Sequence, residues 1–149
     1  MSLHFPFVKL MIRPLTTTLL SSSPMRPNIL TVDDAKAVRL IAQKVLSAFD
    51  CDVNEASNGY NALFVMERTL PDLILLDVSM PIMDGVKLLE LLKSKPELKA
   101  IPVIMLTSPA DHSAIPKIKT LGVSDILVKP FSETALLEKI RGVLALTVK

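Results

Sequence analysis

Short apolar runs alternate along this chain with longer stretches whose apolar residues recur every three or four positions. That alternation predicts strands buried in a sheet and helices packed over it. The runs occupy residues 29–32, 52–56, 73–76, 103–106 and 126–128. Four of them read as strands buried on both faces, whereas Asp52, Val53, Asn54, Glu55 and Ala56 alternate in polarity and predict an edge strand. Between positions 35 and 49, Val38, Ile41, Ala42, Val45, Leu46 and Phe49 make one apolar helical face. Asn58 is placed to cap a second helix from Gly59 to Arg68, beyond which Pro71 blocks continuation. Val86, Leu88, Leu89 and Leu92 mark a third, ended by Pro96. Ile115, Ile118 and Leu121 mark a fourth, and Ser132 caps a fifth that turns Leu136, Leu137, Ile140 and Leu144 inward. Pro116 lies within the fourth and predicts that it is shortened or kinked. Strand and helix alternating five times specify an α/β fold with a parallel sheet.

Composition narrows this to one domain and a leading segment. With 149 residues, half of them hydrophobic, the chain can bury a two-sided core but has little room for a second domain. Residues 1–27 differ in character, with Pro6, Pro14, Pro24 and Pro27, a run of Ser and Thr, and three bases without an acid. They read as an N-terminal extension, with an upstream start ahead of Met25 preferred over a transit peptide. Phe5, Phe7 and Leu10 could dock it. Residues 28–149 form the folded body and hold 14 bases against 15 acids. Without a basic stripe or interleaved aromatics, no direct nucleic-acid contact is expected. Lys9 and Arg13 interrupt the one apolar candidate for membrane insertion, so none is expected. A single cysteine, Cys51, read as a half-buried strand residue, fits a cytoplasmic location.

The polar residues that follow the apolar runs carry the chemistry. In an open α/β sheet, ligands bind where the strands end at their carboxyl rim. Asp33 and Asp34 follow the first run, Asp77 the third, Thr107 and Ser108 the fourth, and Lys129 and Pro130 the fifth. Singly, each has an ordinary explanation. Asp33 and Asp34 could cap a helix, Asp77 open a turn, Thr107 act as a cap, and Lys129 sit in solvent. Together they imply a charged crevice, because adjacent carboxylates repel by up to about 4 kcal/mol at 4 Å for an effective dielectric near 20. Mg2+ suits such a site, since it takes hard oxygen ligands from one or two carboxylates and from phosphate. Lys129 adds a positive charge and Thr107 a hydroxyl donor. The set suits phosphoryl transfer to a carboxylate, where catalysis consists of positioning and charge neutralisation.

The motifs N-I-L-T-V-D-D, L-I-L-L-D-V-S-M-P-I-M-D-G, V-I-M-L-T-S and I-L-V-K-P-F, in that order, resemble the receiver domains of two-component response regulators, the CheY-like family. The resemblance spans nearly all of residues 28–149. It implies a flavodoxin-like, doubly wound sheet of five parallel strands in the order 2-1-3-4-5, flanked by five helices. By position it makes Asp77 the phosphoacceptor. It puts Asp33, Asp34, Asp77 and the Ser79 backbone carbonyl on Mg2+, and makes Thr107 and Lys129 the phosphoryl-stabilising switch residues. It also implies a cis peptide before Pro130 and a role for Gly85 in closing the turn after Met80 and Pro81. Two positions depart from the family pattern. Ile126 stands where an aromatic switch residue is common, and Pro109 offers no side-chain hydrogen bond to an attacking water.

The leading functional expectation is a stand-alone, phosphorylation-controlled module, because little chain follows the fifth helix. The resemblance implies a phosphohistidine donor on a histidine kinase or a histidine phosphotransfer protein. It also implies a downstream protein target on the face made by helix 4, strand 5 and helix 5, and leaves the oligomeric state open. A phosphorylation-independent adaptor is one alternative. An aspartyl-phosphate phosphohydrolase of the haloacid-dehalogenase type is another, but that chemistry needs an Asp two positions past the nucleophile. Ala35 follows Asp33 by two, and Ser79 follows Asp77 by two. The chain is therefore expected to be a switch and not an enzyme.

Overall fold

A computed structural model describes residues 26–149. Five parallel strands, β1 (Asn28–Val32), β2 (Asp52–Ala56), β3 (Leu73–Asp77), β4 (Val103–Thr107) and β5 (Asp125–Val128), form one sheet in the order β2-β1-β3-β4-β5. Five helices connect and cover them: α1 (Lys36–Leu46), α2 (Gly59–Arg68), α3 (Gly85–Ser94), α4 (Ile115–Leu121) and α5 (Glu133–Arg141). A six-residue 3-10 helix, Pro109–Ala114, precedes α4. This is the CheY-like, flavodoxin-like fold that the motifs imply.

The two-residue period of the strands divides the core into two layers. Leu30, Val32, Ile74, Leu76, Val103 and Met105 face α2, α3 and α4. Ile29, Leu73, Leu75, Ile104 and Leu106 face α1 and α5. All these strand residues are at most 1% exposed, so β1, β3 and β4 are buried on both sides as their apolar sequences require. Asn58 and Ser132 cap α2 and α5 by accepting the amides of Asn61 and Ala135. Asp84 caps α3 in the same way through the amide of Lys87.

Several boundaries differ from expectation. β3 and β4 each run one residue further, to Asp77 and Thr107, because the sheet hydrogen bonds continue. β5 begins at Asp125 and is an edge strand, with Leu127 buried but Val128 55% exposed. α1 ends at Leu46, and Phe49 reaches the core from beyond it, where its backbone forms an antiparallel bridge with Val148. Cys51 is buried and precedes β2 instead of lying half-buried within it. Pro116 occupies the first turn of α4, where the missing amide costs no helical hydrogen bond. It therefore starts a short helix and does not kink a long one.

Of the expected extension, residues 1–25, with Phe5, Phe7 and Leu10, lie outside the described residues. Pro27 accepts from the Asp52 amide at 2.8 Å, and Arg26 donates to the Cys51 carbonyl at 2.8 Å, so both belong to the sheet edge. Among the described residues, no helix is long and apolar enough to cross a membrane.

Candidate functional site

Strand register assembles the site. Val32 of β1 pairs with Leu76 of β3, which sets Asp33 level with Asp77 across the rim. Asp77 in turn pairs with Leu106 of β4, and Thr107 with Val128 of β5. Thr107 thus stands one residue beyond that level on β4, and Lys129 two residues beyond it past the end of β5. Residues separated by 96 positions in sequence meet because parallel strands all present their carboxyl ends on one side.

One carboxyl oxygen from each of Asp33, Asp34 and Asp77 lies within 4.8 Å of the other two, Asp33 and Asp77 being buried and Asp34 exposed. Lys129 Nζ bridges the two buried acids, 2.8 Å from Asp33 Oδ2 and 3.0 Å from Asp77 Oδ1. Only the contact to Asp77 is aligned as a hydrogen bond, so Asp33 Oδ2 is buried with no hydrogen-bond partner. Asp33 Oδ1 accepts the Ala35 amide at 2.9 Å. This contact replaces the helix cap expected of Asp33 or Asp34, since Ala35 occupies the N-cap of α1 and no side chain caps it. The Asp33 carbonyl accepts from Arg39, which also pairs with Glu55 at 2.8 Å.

Burial, first, and then the charges of Asp33 and Asp34 push the Asp77 carboxyl up to about 7, against the downward pull of Lys129. Burial pulls the Lys129 ammonium down, but its contacts with Asp33 and Asp77 prevail and raise it above the ordinary amine value. One ammonium therefore compensates three carboxylates incompletely. The buried Asp33 oxygen whose ion pair with Lys129 is not an aligned hydrogen bond, the hard-oxygen donor set and the raised Asp77 carboxyl all fit a small divalent cation such as Mg2+.

The remaining residues lie around this centre. Thr107 ends β4, 2% exposed, and its carbonyl accepts the Lys129 amide. The Lys129–Pro130 peptide is cis. Gly85, at the start of α3, packs so closely on the strand end that a Cβ there would stand 1.9 Å from the Asp77 carbonyl oxygen. Its amide donates to the Val78 carbonyl at 2.8 Å and closes the turn. Ile126 packs partly buried against the layer of α2, α3 and α4. The Ser79 hydroxyl points elsewhere, donating to Asp111 Oδ1 at 2.7 Å.

Asp111 is the residue that motif spacing did not disclose. It lies in the 3-10 helix, 7% exposed, and its Oδ2 accepts the amide and hydroxyl of Ser108 at 2.9 and 3.0 Å. The Ser-x-x-Asp spacing from Ser108 was the available signal, since it marks a capping box. The partnership with Ser79 had none.

A family model described as the response regulator receiver domain matches residues 29–141. The chain belongs to the response regulator receiver domain family. It is 35% identical over 114 residues to protein PilG of Pseudomonas aeruginosa, covering 76% of this chain and 84% of that protein. It is 38% identical to the response regulator PleD of Caulobacter vibrioides, over 79% of this chain but 26% of that protein. The chain spans about half or less of the length of several curated relatives it matches. Among solved structures, the chemotaxis response regulator CheY4 of Vibrio cholerae superposes with a TM-score of 0.74 at 29% identity, covering 80% of this chain and all of that one. Receiver domains are signalling switches that work with histidine kinases and downstream effectors, and typically bind Mg2+ in an acidic pocket.

Proposed function

We propose that residues 28–149 form a stand-alone receiver domain whose Asp77 takes a phosphoryl group from the phosphohistidine of a kinase or phosphotransfer protein in the cytoplasm. The observation that carries this reading is the convergence of Asp33, Asp34 and Asp77 within 4.8 Å, with Lys129 bridging the two buried acids. Asp33, Asp34, Asp77 and the Ser79 backbone carbonyl are the residues to hold Mg2+. When bound, the ion supplies positive charge that neutralises phosphoryl oxygens and offsets the repulsion among the three acids.

In the transfer, an Asp77 carboxylate oxygen forms the new P–O bond as the P–N bond to the donor imidazole breaks. The departing nitrogen keeps the bonding pair and regains a proton from solvent. Lys129, already on Asp77 Oδ1, follows the added charge, and the Thr107 hydroxyl donates to a phosphoryl oxygen. Movement of Thr107 along β4 alters the neighbouring surface of α4, β5 and α5, where a protein partner reads it. With Ile126 in place of an aromatic, that coupling runs through the aliphatic layer against which Ile126 packs, beside its strand partner Met105. On this reading the protein is a phosphoacceptor and not an enzyme that turns over free esters. PilG, covered over 84% of its length, and CheY4, covered fully, support the stand-alone arrangement.

Acetyl phosphate with Mg2+ should add one phosphoryl mass to the protein and none to Asp77→Asn, as read by intact-mass spectrometry. Labelling that persists in the variant would sink the assignment.

A further inference from the structure

Asp111 has two functions that its carboxylate oxygens separate. Oδ2 serves the local capping box, taking the Ser108 amide and hydroxyl while the Asp111 amide returns to the Ser108 carbonyl at 2.9 Å. Oδ1 has no part in that cap. It takes the Ser79 hydroxyl at 2.7 Å across 32 residues of sequence, and so ties the connection after β3 to the turn after β4. Ser79 lies two residues past Asp77, and Ser108 one past Thr107. The tie therefore spans the two segments that flank the acceptor.

We propose that Asp111 is a positioning residue: a buried clamp that holds the Ser79 and Ser108 segments in their unphosphorylated arrangement and must yield when Asp77 is phosphorylated. The proposal rests on the reading of Asp77 as the phosphoacceptor. A phosphoryl group brings nearly two negative charges and three strong acceptor oxygens. Turning the Thr107–Ser108 segment toward those oxygens competes directly with Asp111, which already engages the Ser108 amide and hydroxyl. The competitor is an anion. Ser79 anchors the clamp, while Asp111 carries the charge and the grip on Ser108.

The test uses the full chain with beryllofluoride and Mg2+ as the phosphoryl mimic, its affinity measured by calorimetry. Ser79→Ala removes only the link between the segments and leaves the capping box intact. It should bind beryllofluoride more tightly than the unsubstituted protein. Asp111→Asn weakens the grip on Ser108 and removes the charge, and should tighten binding by roughly tenfold, the weight of one hydrogen bond to a charged group. A residue with only a structural role would weaken binding on substitution, so the direction is decisive. Unchanged or weaker binding by Ser79→Ala, with normal binding by the unsubstituted protein, overturns the clamp alone. If the unsubstituted protein neither binds beryllofluoride nor accepts phosphate from acetyl phosphate, the acceptor reading falls and the clamp falls with it.

Discussion

Asp77 is buried, faces two other carboxylates and is engaged by one ammonium, and its proton affinity follows from that imbalance. Its carboxyl is raised from 3.8 to about 7 by burial and by Asp33 and Asp34. Without metal, the folded protein holds this proton more tightly than the unfolded chain does across that interval. Stability from this group is therefore greatest at low pH and falls as pH rises from 3.8 to about 7. The expected outcome is that the stability difference between the metal-free protein and Asp77→Asn shifts against the unsubstituted protein over this range, as read by urea unfolding. Mg2+ competes with the same proton, so its affinity should increase as pH rises through about 7. A flat affinity profile between pH 5 and 8, measured by calorimetry, would contradict this imbalance of charge.

At the scale of elements, the connection from β3 to α3 is the most constrained part of the fold. It leaves Asp77, turns at Pro81, passes Ile82 with φ 70, and enters α3 at the Asp84 cap. A β-branched residue rarely adopts that left-handed conformation, and Ile82 is also 82% exposed, so its side chain gains little packing in return. Gly85 allows α3 to begin against the Asp77 backbone, 1.9 Å from where a Cβ would stand. Gly85→Ala should destabilise the domain by about 1–3 kcal/mol in urea unfolding, the usual range for overpacking. It should also weaken Mg2+ binding, because the displaced atoms belong to Asp77. Unaltered stability and metal affinity would show that α3 can back away freely.

For the whole molecule, the site and the two core layers meet at one rim, so occupancy of the site is linked to the stability of the fold. Ligands that bind only the folded form stabilise it, by about 2.7 kcal/mol at a hundredfold excess over Kd. Beryllofluoride with Mg2+ should therefore raise the melting temperature by roughly 5–20 °C, since each kcal/mol shifts it by about 2–8 °C in domains near this size. In Asp77→Asn the rise should vanish, and calorimetric scans would reveal a site elsewhere if it did not. The same rim connects to β5 through the pairing of Thr107 with Val128, which on the proposed reading is the route by which charge at the site reaches a partner.

Local pattern determined the elements, because burial on one or two faces demands a period of two in strands and of three to four in helices. Asp33, Asp77, Thr107 and Lys129 were legible as rim residues for the same reason: each stands where an apolar run ends. Asn58 and Ser132 were legible as caps because short polar side chains satisfy free amides at helix starts. Other features depend on contacts between distant segments, which no local spacing encodes. Register alone decided that Lys129 reaches both Asp33 and Asp77. Packing decided that Phe49 enters the core from outside its helix and that Pro116 begins α4. The Ser79–Asp111 bond belongs with these, since its two partners come together only after the strands have been ordered into a sheet.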